Sequence, residues 1–302
     1  MKEFDIIKNL YRDKINAKKL DDCFFFDGKY LITTDTIAEG THFKHEWSNP
    51  ADIACKLVEV NVSDIASSGG LPKIAFLNLG LSRFSNNSKW LSPFIKQLKI
   101  CLNKYKINLE GGDTYFSEKT NLTLTLIGKT NSPVFRSTGK EEDFIYMTGN
   151  IGLSQLGLRV LKDNIKLPSK LKKEALDRHL RPNSRLSLSR ILTKQFPISA
   201  MMDITDGLIQ DSKKLAKASN LKLEIHIDVI PGIKDLQKYI SIDEILSSGE
   251  ELELLFLSKS KINSTKNLPV TCIGKAVKGK QGVSFILNHK RYIPTKEGFF
   301  HF

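Results

Sequence analysis

The chain has 302 residues, 40% of them hydrophobic and 26% charged, with a formal net charge of +13. That length suits two domains with a core each, and the composition is that of an ordinary soluble globular protein. The excess lysine is scattered, as at Lys172-Lys173 and Lys213-Lys214, and no basic block is interleaved with aromatics, which argues against a nucleic-acid partner.

The chain begins with MKEFDIIKNLYRDK, which is charged throughout and does not read as a signal peptide. FFFD, Gly28 and KYLITTDT read as two strands joined at an Asp27-Gly28 turn. Residues 51–68 carry a helical apolar period, and KIAFLNLGLS at 73–82 reads as a strand. A helix is expected over about 88–106, then a GGDT loop and the alternating strand NLTLTLIGK. The break between halves falls at Thr130-Asn131-Ser132-Pro133, giving domains 1–132 and 133–302. Beyond it come strand FIYMTG, helical stretches over about 151–195, strand SAMMDI and helix LIQDSKKLAKAS. Strand LKLEIHID, a helical region to about 247, and strands near 252–258, 270–275 and 282–286 complete the chain. The mixture fits two α/β or α+β domains. No apolar run approaches the roughly 20 residues that span a bilayer, so a cytoplasmic protein without a membrane partner is expected. The cysteines, Cys23, Cys55, Cys101 and Cys272, lie far apart with no CxxC pair, so neither a disulfide framework nor a zinc site is suggested.

Aspartates recur beside Gly, Ser or Thr: Asp21-Asp22 in KLDDC, Asp35 in TTDT, Asp64 in NVSD, Asp113 in GGDT, and Asp203 and Asp206 in DITDG. If the fold gathers even some of them, their repulsion must be offset, since like charges about 4 Å apart cost roughly 4 kcal/mol at an effective dielectric near 20. Hard oxygen ligands select magnesium-like ions, and such a pocket points first to phosphoryl transfer. On the helix at 51–68, Asn61 and Asp64 interrupt the apolar stripe of Ile53, Leu57 and Val60. They are either satisfied core polar groups or ligands, because a buried ionised Asp needs a partner or a metal. Thr33 and Asp35 alternate along one strand face, GGDT permits close backbone approach to a phosphate, and DITDG opens a helix. The plainer alternatives are a simple turn at TTDT, a Gly-Gly turn at GGDT, and a helix cap by Thr205 or Asp206 at DITDG. There is no GxxxxGK[ST] loop and no GxGxxG after a strand, which disfavours conventional phosphate-loop enzymes.

The ordered set LDDC, TTDTIAEGTHF, KLVEVNVSDIASSGG, GGDT, RSTGKEEDFIYMTG, RPNSR, DITDGL and SGEELELLF resembles the thiamine-monophosphate kinase family over nearly the whole chain. The resemblance implies the two-domain aminoimidazole ribonucleotide synthetase-like fold, with N-terminal sheets pairing in a homodimer and a C-terminal α/β domain completing a cleft. It implies ATP- and Mg²⁺-dependent conversion of thiamine monophosphate to thiamine diphosphate. Carried over by motif, the metal ligands are Asp22, Thr33, Thr34, Asp35, Asp64, Asp113, Asp203 and Asp206. Gly112, Asp113, Arg136 and Thr205 contact ATP, His42 and Glu250 contact the substrate, and Asp64, Asp113 and Arg136 are the catalytic group. The chain departs from the family at SGEELEL, which loses a Gly, an Asp and a Tyr, and at Leu20, where a Gly is usual. It also departs near the C-terminus, where Lys296 stands in place of a stacking tryptophan and Phe299 or Phe300 is the substitute aromatic surface. The rival readings are a superfamily phosphotransferase for another small molecule and a catalytically silent nucleotide-binding regulator.

Overall fold

The computed structural model describes residues 21–296 and 298. They fall into two compact units. The N-terminal unit comprises Cys23–Pro133 and Gly157–Leu186; the C-terminal unit comprises Val134–Leu156 and the residues from Ser187 onward, together with Asp21 and Asp22.

In the N-terminal unit β1 (Phe24–Phe26) and β2 (Tyr30–Ala38) form a hairpin. Its turn places Asp27 at φ 49° and Gly28 at φ 66°, the left-handed pair that matches strand twist. With β3 (Leu71–Leu81), β4 (Asn108–Phe116) and β5 (Asn121–Lys129) they build a sheet in the order β1-β2-β5-β3-β4, antiparallel except for β3 and β4. Helix α1 (Pro50–Ser67) starts where the Asn49 side chain accepts from the Asp52 amide at 2.9 Å, with Pro50 pre-set for the first turn. Helix α2 (Ser88–Tyr105) is capped in the same way by Asn87 and ends at left-handed Lys106. Strand β5 alternates Leu inward with Thr outward, so Leu122, Leu124 and Leu126 meet Leu31, Ile37, Leu57 and Phe94 in one core. The opposite sheet face carries hydroxyl pairs instead: Thr34 with Thr125 at 2.9 Å and Thr36 with Thr123 at 2.7 Å.

Two expectations change here. GGDT is not a loop; it lies within β4, an edge strand exposed along its whole length. Gly112 permits this, because at φ 152° a Cβ there would stand 1.8 Å from the Leu77 carbonyl oxygen. Nor does the chain leave the N-terminal unit for good at Pro133. Helix α3 (Leu153–Asp163) crosses between units, and α4 (Ser169–Leu180) with the RPNSR turn packs back onto α1 and α2. Buried Glu59 of α1 explains the return: it accepts from Lys104 Nζ at 2.7 Å, the Tyr105 hydroxyl at 2.7 Å and the Ser184 amide at 2.8 Å. Arg181 pairs with buried Asp52.

The C-terminal unit contains β6 (Phe144–Thr148), α5 (Leu186–Gln195), β7 (Ile198–Asp203), α6 (Leu208–Ser219) and β8 (Lys222–His226). The expected helical region to 247 resolves into a short 3₁₀ turn, α7 (Ile233–Leu236) and α8 (Ile242–Leu246), the last opened by a Ser241–Glu244 capping box. Strands β9 (Leu254–Ser258), β10 (Val270–Val277), β11 (Gly282–Leu287) and β12 (Lys290–Tyr292) follow. The seven strands run in the order β12-β11-β8-β10-β6-β9-β7. Among the described residues no helix is long and apolar enough to cross a membrane.

Candidate functional site

In the N-terminal unit the inner face of β2 and the facing side of α1 gather four of the singled-out polar residues. Thr33 donates its hydroxyl hydrogen to Asp64, and Asn61 accepts from the Asp35 amide at 3.1 Å while donating to the Leu57 carbonyl at 2.9 Å. Asn61 and Asp64 are buried at the sheet, as the interrupted apolar stripe suggested. The sheet register divides the remaining candidates. Asp35, Leu124, Leu77 and Gly112 lie in one row on the helix-covered face; Thr36, Thr123, Asn78 and Asp113 lie in the next row on the open face. Thr34 and Asp113 therefore project away from Thr33, Asp35 and Asp64, and Asp113 is exposed, accepting locally from the Thr114 amide at 2.8 Å. Beyond β2, His42 Nδ1 accepts from the Ala38 amide at 3.0 Å, so the neutral ring carries its proton on Nε2.

In the C-terminal unit Arg136 is clasped by the aspartate pair. Its amide donates to Asp21 at 3.1 Å, its guanidinium pairs with Asp22, and its carbonyl accepts from the Ser219 hydroxyl at 2.6 Å. Carboxylate oxygens of Asp22 and Asp203 lie within 4.8 Å of each other. Burial, reinforced by the charge of Asp22, pushes the Asp21 carboxyl up to about 7 although Arg136 opposes it. Burial by itself lowers the Arg136 guanidinium, but Asp22, Asp21, Asp203 and Asp211 together hold it above its usual value.

DITDG turns from β7 into α6, and neither Thr205 nor Asp206 caps that helix. The job falls to buried Asp211, one turn inside α6, whose carboxylate reaches back to the Thr205 and Asp206 amides at 3.0 Å each. Lys214 bridges Asp211 at 2.9 Å and Asp206 at 2.5 Å. Burial raises the Asp211 carboxyl, with Lys214 opposing. The sequence reading missed both residues; their i, i+3 spacing at a helix start was the available signal. The SGEE turn packs on the same loop, where Glu250, in the left-handed region at φ 55°, donates its amide to the Thr205 carbonyl at 2.8 Å. Its neighbours are structural: Glu251 accepts from the Gly152 amide at 2.7 Å and Ser248 at 2.6 Å, and Glu253 from Thr148 at 2.6 Å. Lys296 lines a cavity of about 200 Å³ with Lys213, Phe285, Arg291 and Tyr292. Phe299 and Phe300, proposed as the aromatic surface, lie outside the described residues.

Residues 20–130 match the family described as AIR synthase related protein, N-terminal domain, and residues 140–285 match AIR synthase related protein, C-terminal domain. Fold and acidic motifs together thus define an AIR synthase related protein. Over its full length the chain is 48% identical to the thiamine-monophosphate kinase of Leptospira interrogans, covering 98% of that protein. It is 31% identical to that of Bacillus subtilis, with both chains fully covered. Among solved structures, that of thiamine monophosphate kinase from Aquifex aeolicus matches with a TM-score of 0.84 at 30% identity, covering 97% of each chain. That of AaThiL complexed with AMPPCP and TMP matches with a TM-score of 0.86 at 30% identity, covering 100% of this chain and 97% of the other. The chain belongs to the thiamine-monophosphate kinase family.

Proposed function

We propose that this protein transfers the γ-phosphoryl group of ATP to thiamine monophosphate, giving thiamine diphosphate and ADP. The full-length 48% identity to a thiamine-monophosphate kinase carries this reading. The match to AaThiL complexed with AMPPCP, an ATP analogue, and TMP supports it.

The donor set fits magnesium. Asp22 and Asp203 in one unit, and Thr33, Asp35 and Asp64 in the other, offer only hard oxygen atoms. Asp22 and Asp203 are close enough for their carboxylate oxygens to share one cation, in addition to the Arg136 guanidinium that already pairs with Asp22. Magnesium, when bound there, screens the charge of the two phosphate-bearing substrates and of the leaving diphosphate. The attacking oxygen of the monophosphate is already ionised near neutral pH, so the chain need supply no strong general base. Its residues position and neutralise. Thr33 holds Asp64 in one orientation by donating to its carboxylate. Arg136 is poised beside Asp22 to exchange a carboxylate partner for a phosphate. Asp211 and Lys214 hold the Thr205–Asp206 loop in place for ATP, and the Nε2–H of His42 serves as a donor to the substrate phosphate.

The protein works, in this reading, as a homodimer in the cytoplasm, in keeping with its four free cysteines. Phe76 and Tyr115, 40% and 49% exposed, stand on the open face of the five-stranded sheet beside the Thr pairs and suit pairing with a second copy. Since Asp113 and Thr34 share that face, they serve the site of the opposite protomer.

The test is ADP release from ATP and Mg²⁺ with thiamine monophosphate, beside thiamine and aminoimidazole-pathway intermediates. Thiamine diphosphate formed only from the monophosphate is the expected result. A folded, ATP-binding protein that is silent with the monophosphate would overturn the assignment.

A further inference from the structure

Cys55 on α1 and Cys101 on α2 are 46 residues apart in sequence, yet their Sγ atoms approach to 3.2 Å across the helix pair. Gln97, one turn before Cys101, donates its side-chain amide to both sulfurs, at 3.2 Å and 3.4 Å. Cys101 is buried, Cys55 is partly exposed, and neither is bonded. No step of the proposed phosphoryl transfer uses either thiol. We propose that Cys55 and Cys101 are an oxidisable dithiol that a small peroxide converts to a reversible disulfide, stapling α1 to α2.

The closure required is small, since a disulfide brings the sulfurs to about 2.05 Å. The thiol pair also stores a nucleophile. Hydrogen bonding from Cys55 lowers the Cys101 sulfur, against burial and with help from Gln97, which favours its thiolate. The same contact pushes the Cys55 thiol up. The thiolate attacks one peroxide oxygen, breaking the O–O bond to give a sulfenic acid and hydroxide, which takes up the proton the thiol released. The second thiol then attacks the sulfenic sulfur; the S–S bond forms and water departs. Two thiols lose two electrons in all, and one peroxide becomes two waters. Exposed Cys272 has no such neighbour among the described residues, and buried Cys23 donates to the Asp64 carbonyl at 3.2 Å.

The experiment uses the full chain carrying Cys272→Ser, treated with hydrogen peroxide and mapped by peptide mass spectrometry without reduction. The expected product is a Cys55–Cys101 cross-link. The intact mass should fall by two hydrogens, the melting temperature should rise by a few degrees, and dithiothreitol should reverse both changes. With Cys55→Ser added, the cross-link should vanish and Cys101 should proceed to sulfinic acid. Thiols still reduced under peroxide, sulfinic acid at Cys101 with Cys55 present, or a bridge involving Cys23 would each overturn the proposal.

Discussion

Asp64 is the residue at which helix and sheet meet. It is buried on α1, accepts from Thr33 and shares its stripe with Asn61. Replacing it by Asn keeps the shape and loses the charge. Asp64→Asn should therefore lower kcat by on the order of 10³-fold while leaving the melting curve near that of wild type. Steady-state kinetics beside circular dichroism would check this, and near-normal turnover would remove Asp64 from the ligands. Asp21 makes a different demand. Its folded value of about 7 stands above the ordinary 3.8, so folding favours the protonated carboxyl. The stability this confers is fully present below about pH 4 and is lost as pH rises through 7, by up to roughly 4 kcal/mol. Urea unfolding of metal-free protein at pH 5 and pH 8 should show this loss, and Asp21→Asn should flatten it. Equal slopes in the two proteins would refute the assignment to Asp21.

At the scale of elements, what was legible followed periodicity. The Leu–Thr alternation of β5 and the stripe of α1 made both elements readable, and α6 matches its expected span. What escaped depended on contacts distant in sequence. GGDT reads as a turn by composition, and only the close approach of Leu77 turns its glycines into a device for packing an edge strand. Gly112→Ala should cost about 2 kcal/mol or more, with faster amide exchange along β4 than elsewhere in its sheet. Uniform exchange and an unchanged melting temperature would contradict this. The candidate site was legible as a set of residues and illegible as an arrangement. Motif order names Thr34 and Asp113 with Thr33, Asp35 and Asp64, but strand pleat sends the first two to the other face. Asp211 and Lys214 carry no motif, and only the turn of the chain into α6 makes them partners of Asp206.

For the whole molecule, that division of faces makes the proposed homodimer testable by complementation. Asp64→Asn and Asp113→Asn should each be nearly inactive alone. If Asp113 acts on the opposite protomer, mixing and refolding the two should restore about a quarter of wild-type activity, because half the dimers are mixed and each of these carries one intact site. Inactivity of the mixed dimers would place Asp64 and Asp113 in the same protomer's site.

The Glu59 cluster also bears on how the chain is made. Asp52 and Glu59 are buried on α1 by a segment that lies 100 residues and more further along, at Arg181 and Ser184. A growing polypeptide that has emerged only as far as Pro133 holds every strand of its first sheet and the Lys104 and Tyr105 partners of Glu59, but lacks Arg181 for Asp52 and the Ser184 amide for Glu59. The N-terminal unit therefore completes itself only after the first strand of the other unit has left the ribosome. Cutting the gene at the apparent boundary would yield a fragment without these partners for its acidic helix, whereas a fragment that runs through Leu186 would carry both Arg181 and Ser184.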